Sequence, residues 1–221
     1  MKVVILLGPP GVGKGTQASM LVARLGAIHI STGVLVRNEI ASGSKLGRKV
    51  KNIVDAGFLV SDDVIFDCLE KELTVLAPTF SEHEYIFFDG MPRNLSQAQV
   101  FDSVIGKFGL KLDVVVAIIA SLEDLISRLS NRLICSECGA INSSSGNPLN
   151  EVVCVKCMSK GTMTRRKDDD AEVVKQRFGI YDAETSPLLS FYKSREQLYV
   201  VNGLMSPEEV YSKITTHLFK I

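Results

Sequence analysis

A glycine-rich turn directly after a short apolar run constrains the fold of this chain more than any other feature. Residues 3–7 are all apolar and predict a buried β-strand, and residues 8–16 then read GPPGVGKGT before a segment of helical period. Between a strand and a helix, successive backbone N–H groups and the positive end of the helix point at one place. Glycines let an anion come close, and Lys14 adds a mobile positive charge. The segment therefore predicts a phosphate-binding loop.

The loop departs from the general phosphate-loop pattern at one position. In that pattern, G-x-x-x-x-G-K is followed by a Ser or Thr whose hydroxyl ligates magnesium. Here Gly15 follows Lys14, and Thr16 comes one residue later. Because Gly15 has no side chain with which to bind a metal, a magnesium ion at this loop needs another protein group.

Asp89 is the candidate for that group. Residues 85–89 read YIFFD, an apolar strand that ends in a carboxylate. In open parallel sheets, ligands bind outside the carboxyl ends of the strands. We therefore expect Asp89 to hold magnesium through water, and the alternative is an ordinary aspartate at a strand end.

Length and composition exclude several classes of protein. The 221 residues are 46% apolar, enough for one sizeable core, and the formal net charge of zero gives no electrostatic footprint for nucleic acid or anionic membrane. The longest apolar run, residues 114–120, is too short to span a bilayer. Lys2 and the apolar residues after it resemble the start of a signal peptide, but the glycine loop ends that run too early. We expect a cytoplasmic protein with neither a nucleic-acid nor a membrane partner.

Strand and helix alternate along most of the chain. Besides residues 3–7, apolar runs predict strands at residues 28–30, 85–89, 112–120 and 198–201. Helix caps and helical periodicity predict helices at residues 17–25, 34–41, 45–56 and 61–77, from 96, from 121 through Arg128 and Arg132, from 168 with an interruption at Pro187, and from 207. This alternation predicts an α/β fold in which a parallel sheet carries helices on both faces.

Four of the five cysteines form two C-x-x-C pairs, Cys135 with Cys138 and Cys154 with Cys157, separated by fifteen residues. Two such pairs supply the four sulfurs that a tetrahedral zinc prefers, and no histidine lies nearby to suggest an open catalytic position. We expect a structural zinc; iron and cobalt also accept four thiolates, and a redox dithiol pair is the alternative function. Cys68 lies on the apolar stripe of a predicted helix and is interpreted as core packing.

Several arginines lie where strands end or beside the cysteine segment. Arg128 and Arg132 are four residues apart, and Arg166 and Arg177 are eleven apart, so each pair is predicted to share one face of a helix. A single arginine is usually a solvated surface group. A set placed this way predicts instead a site for several phosphates, because the planar guanidinium stays charged and binds two oxygens at once. The six candidates are Arg37, Arg93, Arg128, Arg132, Arg166 and Arg177.

These motifs together resemble the adenylate kinase family, specifically its long form with a zinc-bearing lid, over nearly the whole chain. Residues 8–16 match the family loop G-x-P-G-x-G-K-G-T throughout, and residues 31–33 read STG with Arg37 following. Residues 89–93 read DGMPR with Gln97 following, which is similar to the family's D-G-[FY]-P-R-x-x-x-Q. The remaining arginines, the four cysteines and the RKDD sequence at residues 166–169 occur in the family order.

The resemblance implies the phosphate-loop nucleoside monophosphate kinase fold and the reversible reaction ATP + AMP = 2 ADP with magnesium. It implies a core of residues 1–30, 61–130 and 169–221, an AMP-binding subdomain of residues 31–60 and a zinc-bearing lid of residues 131–168. It further implies a monomer whose partners are ATP, AMP and the product ADP.

The resemblance also implies roles for individual residues. ATP would be bound by Gly11, Val12, Gly13, Lys14, Gly15, Thr16, Arg128 and Arg132, with Ile141, Asn142 and Met205 near the adenine. AMP would be bound by Thr32, Arg37, Phe58, Leu59, Val60, Gly90, Met91, Pro92, Arg93 and Gln97, and by Arg166 and Arg177, which would also reach the transferring phosphate. The catalytic set would be Lys14, Asp89, Arg93, Arg128, Arg166 and Arg177. The sequence departs from the family at Val34, Met91 and the Ile141-Asn142 pair, where an aspartate, an aromatic residue and a Thr-Tyr pair are common.

Transfer between phosphates needs no general base, because the acceptor oxygen is already anionic near neutral pH. Catalysis would then depend on positioning and on positive charge, with lids that exclude water. Two alternatives have different consequences. A phosphate-loop kinase for another nucleoside monophosphate or a small metabolite would differ in its acceptor, and a zinc-ribbon binding module fused to a nucleotide-dependent switch would transfer no phosphate.

Overall fold

The computed structural model describes residues 1–144, 148–166 and 169–220. The strands are β1 (Lys2–Leu7), β2 (Ile28–Ser31), β3 (Tyr85–Asp89), β4 (Leu112–Ile119), β5 (Arg132–Cys135), β6 (Ile141–Ser143), β7 (Met163–Thr164) and β8 (Leu198–Asn202). The helices are α1 (Lys14–Leu25), α2 (Thr32–Ala41), α3 (Lys45–Asp55), α4 (Asp62–Leu76), α5 (Leu95–Gly106), α6 (Leu122–Ser130), α7 (Ala171–Ile180), α8 (Pro187–Ser194) and α9 (Pro207–Leu218). A 3₁₀ turn covers Ala77–Glu82, and a π-helical turn, Tyr181–Thr185, joins α7 to α8.

The central sheet formed by the described residues is parallel throughout, in the order β2-β3-β1-β4-β8. Successive side chains of a strand face opposite sides. In β1, Val3 and Ile5 therefore join one buried cluster, with helices α4, α5 and α8, while Val4 and Leu6 join a second, with α1 and α9. Nearly every residue of β1 and β3 is buried, as strands covered on both faces require. The predicted doubly covered parallel sheet is confirmed.

The strand register brings the carboxyl ends of neighbouring strands to one edge. Asp89, the last residue of β3, lies opposite Leu6 of β1 and Ser31 of β2. The glycine loop leaves β1 just beyond Leu6, and α2 begins at Thr32 directly after β2. The edge therefore gathers the loop, the carboxylate and the start of α2, as predicted from the strand ends.

Two predicted helix assignments are wrong. Helix α6 ends at Ser130, and Arg132 begins strand β5, so Arg128 and Arg132 do not share a helix face. Arg132 belongs to an antiparallel sheet rather than to the helix, because β5 pairs with β6 and β7. Similarly, α7 begins only at Ala171, capped by the Asp170 side chain, so Arg166 precedes the helix that carries Arg177.

The cysteine segment folds around a small sheet of its own, in the order β6-β5-β7. Its buried apolar cluster, among the described residues, consists of Leu133, Cys135, Cys154 and Met163. Residues 145–147 and 167–168 of the predicted lid lie outside the described residues, including the KD pair of the RKDD sequence. Cys68 lies apart from this segment, buried in α4 as predicted.

In the part of the chain that the structure describes, no helix combines the length and the apolar character needed to cross a membrane.

Candidate active site

The glycine loop wraps the ammonium group of Lys14. Gly13 adopts φ 105°, a conformation that a residue with a side chain rarely takes, and α1 begins directly after it. The Lys14 Nζ atom donates hydrogen bonds to the carbonyl oxygens of Gly8 at 2.7 Å and Pro9 at 3.0 Å. Lys14 is therefore held at the start of α1, where the backbone N–H groups and the helix dipole favour an anion.

The surroundings of Lys14 destabilise the charged form of its side chain. The pKa of Lys14 is lowered to about 8, chiefly by burial; Asp89 opposes the shift, and the nearby cations Arg93, Arg177 and Arg132 contribute to it. A positive group that is short of negative partners is a site for an anionic ligand. The electrostatics of the loop thus agree with phosphate binding.

One cavity of about 1370 Å³, which we call the cationic cavity, opens at the carboxyl edge of the central sheet. The six predicted arginines all line it, together with Lys14 and Asp89, although they come from separate parts of the chain. The structure therefore brings together the residues that the sequence predicted to gather around phosphates. The residues that line it and were predicted for ATP are Gly11, Val12, Gly13, Lys14, Gly15, Thr16, Arg128, Arg132, Ile141, Asn142 and Met205.

A smaller cavity of about 70 Å³, which we call the side cavity, adjoins the cationic cavity. Both are lined by Arg37, Leu59, Gly90, Arg93, Arg166 and Arg177. Thr32, Phe58, Val60 and Gln97 line the side cavity, and Met91 and Pro92 line the cationic cavity. Every residue predicted for AMP thus lies at one of two connected spaces.

Residues 90–93 form a loop held by local hydrogen bonds. Gly90 adopts φ 82°, and a Cβ atom there would lie 2.7 Å from Thr32 Oγ1, which donates to the Gly90 carbonyl at 2.9 Å. Arg93 Nε donates to the same carbonyl at 2.7 Å, and the Arg93 backbone N–H donates to Gln97 Oε1 at 2.7 Å. Gln97 in turn donates to Asp62 at 2.6 Å. Thr32 and Gln97, predicted to touch AMP, therefore also shape the loop that carries Arg93.

Burial lowers the pKa of the Arg93 guanidinium, and the charge of Asp89 opposes that shift. Asp89 also lies close to His29, with 3.9 Å between Oδ2 and Nε2. Burial lowers the pKa of His29, which favours its neutral form. The carboxylate thus faces several cationic groups across the cavity and is placed to neutralise them or a metal.

Other arginines of the cavity contact a backbone carbonyl and a buried carboxylate. Arg128 Nη1 donates to the Gly203 carbonyl at 2.7 Å. Arg132 forms a two-point ion pair with Asp169, one branch of which, from Nε to Oδ2, measures 2.7 Å, and Arg177 lies 3.9 Å from the same carboxylate. Asp169, which is almost fully buried, therefore connects the start of the small sheet to the segment before α7.

Asn142 has a second set of contacts that the sequence did not reveal. Its side chain is buried, donates to the Ala140 carbonyl at 2.9 Å and accepts from the Val155 N–H at 2.9 Å. The amide thus joins the two cysteine pairs of the small sheet. Its neighbour Ile141 is 44% exposed, so Ile141 is the member of the pair that presents side-chain surface to the cavity.

The four cysteine sulfurs lie within 4.8 Å of one another and carry free thiols. Cys135 Sγ is 3.6 Å from Cys157 Sγ, and Cys138 Sγ is 3.5 Å from Cys154 Sγ. Four sulfurs at about 2.3 Å from a tetrahedral zinc are about 3.8 Å apart, so the donor set fits such an ion. Hydrogen bonds from Ser159 and Thr162 lower the pKa of Cys135 to about 5, which favours the thiolate that a metal binds.

Gln17, His29 and Thr185 are among the residues at the cavity that escaped the sequence analysis. Gln17 donates to the Pro207 carbonyl at 2.9 Å, and Thr185 Oγ1 donates to the Arg93 carbonyl at 2.6 Å. His29 could have been found, because it lies in a predicted strand whose end faces the loop. The contacts of Gln17 and Thr185 join residues about 90 to 190 positions apart, which no local pattern reveals.

Comparisons with known proteins agree with this geometry. The sequence profile of the family described as Adenylate kinase matches residues 6–197. The chain is 36% identical over 216 residues to the adenylate kinase of Kosmotoga olearia, covering 97% of this chain and 98% of the relative. It is 38% identical to that of Alkaliphilus oremlandii, covering 97% of each chain. It is 37% identical over 218 residues to that of Carboxydothermus hydrogenoformans, covering 98% and 99%. The chain therefore belongs to the adenylate kinase family.

Proposed function

We propose that the cationic cavity carries out the reaction of its family, the reversible magnesium-dependent transfer ATP + AMP = 2 ADP. The observation that carries this proposal is the convergence of Lys14 and six arginines from separate parts of the chain on one cavity. ATP and AMP between them bring four phosphate groups, which need such a concentration of positive charge. A site for a single phosphate would not.

We assign the donor, ATP, to the side of the cavity formed by the glycine loop and the lid. The loop residues Gly11 to Thr16 would hold the β- and γ-phosphates with backbone N–H groups and Lys14. Arg128 and Arg132 would contact the phosphates from the lid side, with Ile141 and Met205 bordering the base. Asn142 would act through its backbone, because its side chain is engaged within the lid.

We assign the acceptor, AMP, to the side cavity and the adjoining wall. Arg37 and Arg93 would bind the α-phosphate, and Thr32, Phe58, Leu59, Val60 and Gln97 would enclose the nucleoside. Gly90, Met91 and Pro92 form the loop that connects the two sites. Arg166 and Arg177 line both cavities, so they are placed to contact the phosphate during transfer.

The chain supplies charge and position rather than a base. The acceptor oxygen is anionic near neutral pH, so Lys14 and the arginines act by aligning the two nucleotides and by neutralising charge on the transferring group. Water must be excluded to prevent hydrolysis of ATP. We propose that residues 31–60 and 131–168 close over the bound nucleotides and that residues 1–30, 61–130 and 169–221 form the fixed core.

Magnesium and zinc have separate roles in this proposal. Asp89 fits magnesium, because its carboxylate lines the cavity beside the loop, and the ion would neutralise phosphate charge there. Cys135, Cys138, Cys154 and Cys157 fit zinc as four thiolates with no open position for substrate. The zinc would therefore stabilise the lid and take no part in the transfer.

A screen of acceptors tests the proposed function. Purified protein with ATP and magnesium is offered AMP, other nucleoside monophosphates and phosphorylatable metabolites, and ADP formation is followed with a coupled assay. We expect turnover with AMP to exceed that with every other acceptor. Preference for another monophosphate would favour the alternative kinase, and no transfer to any acceptor would favour a nucleotide-dependent switch. The monomeric state and the cytoplasmic location stay predictions.

A further inference from the structure

Thr185 connects the π-helical turn between α7 and α8 to the loop that carries Arg93. Its side chain is buried, with 6% exposure, and its Oγ1 donates to the Arg93 carbonyl oxygen at 2.6 Å. The turn is closed by a hydrogen bond of 2.8 Å from the Ser186 N–H to the Tyr181 carbonyl, five residues back. Such turns inside helices occur frequently at functional sites.

The π-helical turn changes the direction in which Thr185 points. Arg177 lies eight residues earlier, and eight residues of α-helix rotate by about 800°, which would leave Thr185 about 80° away from the direction of Arg177. A π turn contains more residues, so each residue rotates less and Thr185 comes back toward that direction. In agreement, Arg177, Tyr181 and Thr185 all line the cationic cavity.

The contact of Thr185 differs in kind from the other hydrogen bonds of Arg93. The bonds from the Arg93 backbone N–H to Gln97 and from its Nε to Gly90 join residues four and three positions apart, so they shape the loop internally. The bond from Thr185 spans 92 positions and joins the loop to the helix that carries Arg177. Among these three bonds, it alone sets where Arg93 lies relative to Arg177.

We propose that Thr185 is a positioning residue for the acceptor phosphate. Its hydroxyl fixes the position of Arg93 relative to Arg177. The inference rests on the proposed function, in which both arginines contact that phosphate. Arginine forks bind phosphate oxygens with strict geometry, so a small displacement of one arginine weakens the paired contact. Binding of ATP depends mainly on the glycine loop and the lid, and it does not require that Arg93 and Arg177 keep this relative position.

The test replaces the hydroxyl without changing side-chain shape. Thr185→Val removes the donor, and Thr185→Ser keeps it. Thr215→Val is the matched control, because Thr215 is also buried but donates to the Tyr211 carbonyl of its own helix at 3.0 Å. KM for AMP, KM for ATP and kcat are measured for all three, with AMP affinity by calorimetry well below each melting temperature.

We expect Thr185→Val to raise KM and Kd for AMP about tenfold and to change KM for ATP less than twofold. Thr185→Ser should have near-normal values of all three. Thr215→Val should leave both KM values unchanged. If Thr185→Val does not fold, Thr185→Ala takes its place with the same expected split. Equal changes for both nucleotides, or none, in an active enzyme would overturn the inference. A wild-type protein without AMP phosphorylation would instead refute the proposed function.

Discussion

The central sheet and the cysteine lid reach their folded states by different means. The central sheet buries apolar residues on both faces, in two clusters that include the long side chains of Phe87, Phe88 and Leu69. The lid cluster of the described residues has four members, and two of them, Cys135 and Cys154, are predicted metal ligands. The hydrophobic effect scales with buried apolar area, so the central region can fold on that basis alone and the lid needs another source of stability.

The same difference in core size suggests different roles for the two regions: the central region fixes the binding groups, and the lid moves. The groups proposed to bind the phosphates of the two nucleotides, such as Lys14 and Arg93, lie on the region with the large core. The lid contributes Arg132 and Ile141 from a small sheet that is joined to the rest through the ion pair of Arg132 with Asp169. If the four cysteines bind a metal as proposed, a small unit stabilised by that metal and joined to the rest by a polar contact can move as one body without loosening the core.

Removal of the metal should have the largest effect, and it should act on the lid and not on the central sheet. Structural zinc contributes on the order of 10–16 kcal/mol to small folded units, far more than the lid cluster can replace. We expect Cys135→Ala to abolish stoichiometric zinc and to raise hydrogen exchange throughout β5–β7 while β1 and β3 stay protected. Metal analysis and residue-level hydrogen exchange measure both effects.

Cys68→Ala is the matched control for that variant. Cys68 is a free cysteine buried in α4, far from the sulfur cluster in sequence. It should keep its full zinc content and lose about 1–2 kcal/mol of stability from the lost side-chain volume. A lid that stays equally protected without metal would contradict the division of the molecule into two kinds of region.

Lys14→Met should reduce turnover through the core and leave the lid unchanged. Lys14 is the cation at the start of α1, so its loss removes charge from the transferring phosphate; electrostatic groups of this kind are each worth about 10²–10³ in turnover. We expect kcat to fall by about that factor while zinc content stays normal and the melting temperature does not fall, because the cost of burying the charge is removed as well. Steady-state kinetics with metal analysis provide the measurement.

Lys175→Met controls for the loss of a lysine as such. Lys175 forms an exposed ion pair with Glu172 at 2.9 Å on α7, and surface pairs contribute little. Its kcat should match the wild type within about twofold. If Lys14→Met kept full turnover, Lys14 would not be a phosphate ligand.

Substitution of one arginine from each region should separate the two nucleotides. Arg93→Ala, on the core side, should raise KM for AMP by more than tenfold and KM for ATP much less. Arg132→Ala, at the first residue of the lid sheet, should show the opposite order. Each removes a charge-assisted contact worth about 1.5–3 kcal/mol. Losses of equal size for both nucleotides in either variant would argue against the assignment of donor and acceptor sides.

Features that depend on neighbouring residues could be predicted from the sequence, and features that depend on distant contacts could not. The glycine loop, the apolar strands and the spacing of the cysteines are local, and the structure confirms each of them. The end of α6 at Ser130 was missed because no glycine or proline marks it, and only the pairing of Arg132 with Ser143 of β6 shows that a strand begins there.

The same distinction applies to the candidate site. Lys14, Asp89 and the six arginines were predicted because charged residues near strand ends are informative by residue type, whereas Lys156 was missed. Thr185 and Gln17 were not predicted, since a threonine in a helix and a glutamine after the loop have no unusual composition. Their roles arise from single hydrogen bonds to the Arg93 and Pro207 carbonyls, which exist only in the folded chain.

The smallest expected effect is a pH dependence that originates in the core and not in the lid. Desolvation lowers the pKa of Lys14 to about 8 in the nucleotide-free protein, assisted by Arg93, Arg177 and Arg132 and opposed by Asp89. Below pH 8 the ammonium is already charged and binds phosphate directly. Above pH 8 it must first take up a proton, so ATP affinity should fall by up to about tenfold per pH unit.

Calorimetry of ATP binding between pH 6.5 and 9.5, in buffers with different ionisation enthalpies, measures both the affinity and the proton uptake. The stability of the nucleotide-free protein should move in the opposite direction. The unfolded chain holds this proton up to a pKa of about 10.5, so between pH 8 and 10.5 it binds more protons than the folded chain, and the Lys14 contribution to stability rises with pH. In Lys14→Met both effects should disappear while the zinc content is unchanged. A wild-type ATP affinity that stays constant up to pH 9.5, with no proton uptake, would show that Lys14 remains charged in the free protein. Burial would then not lower its pKa.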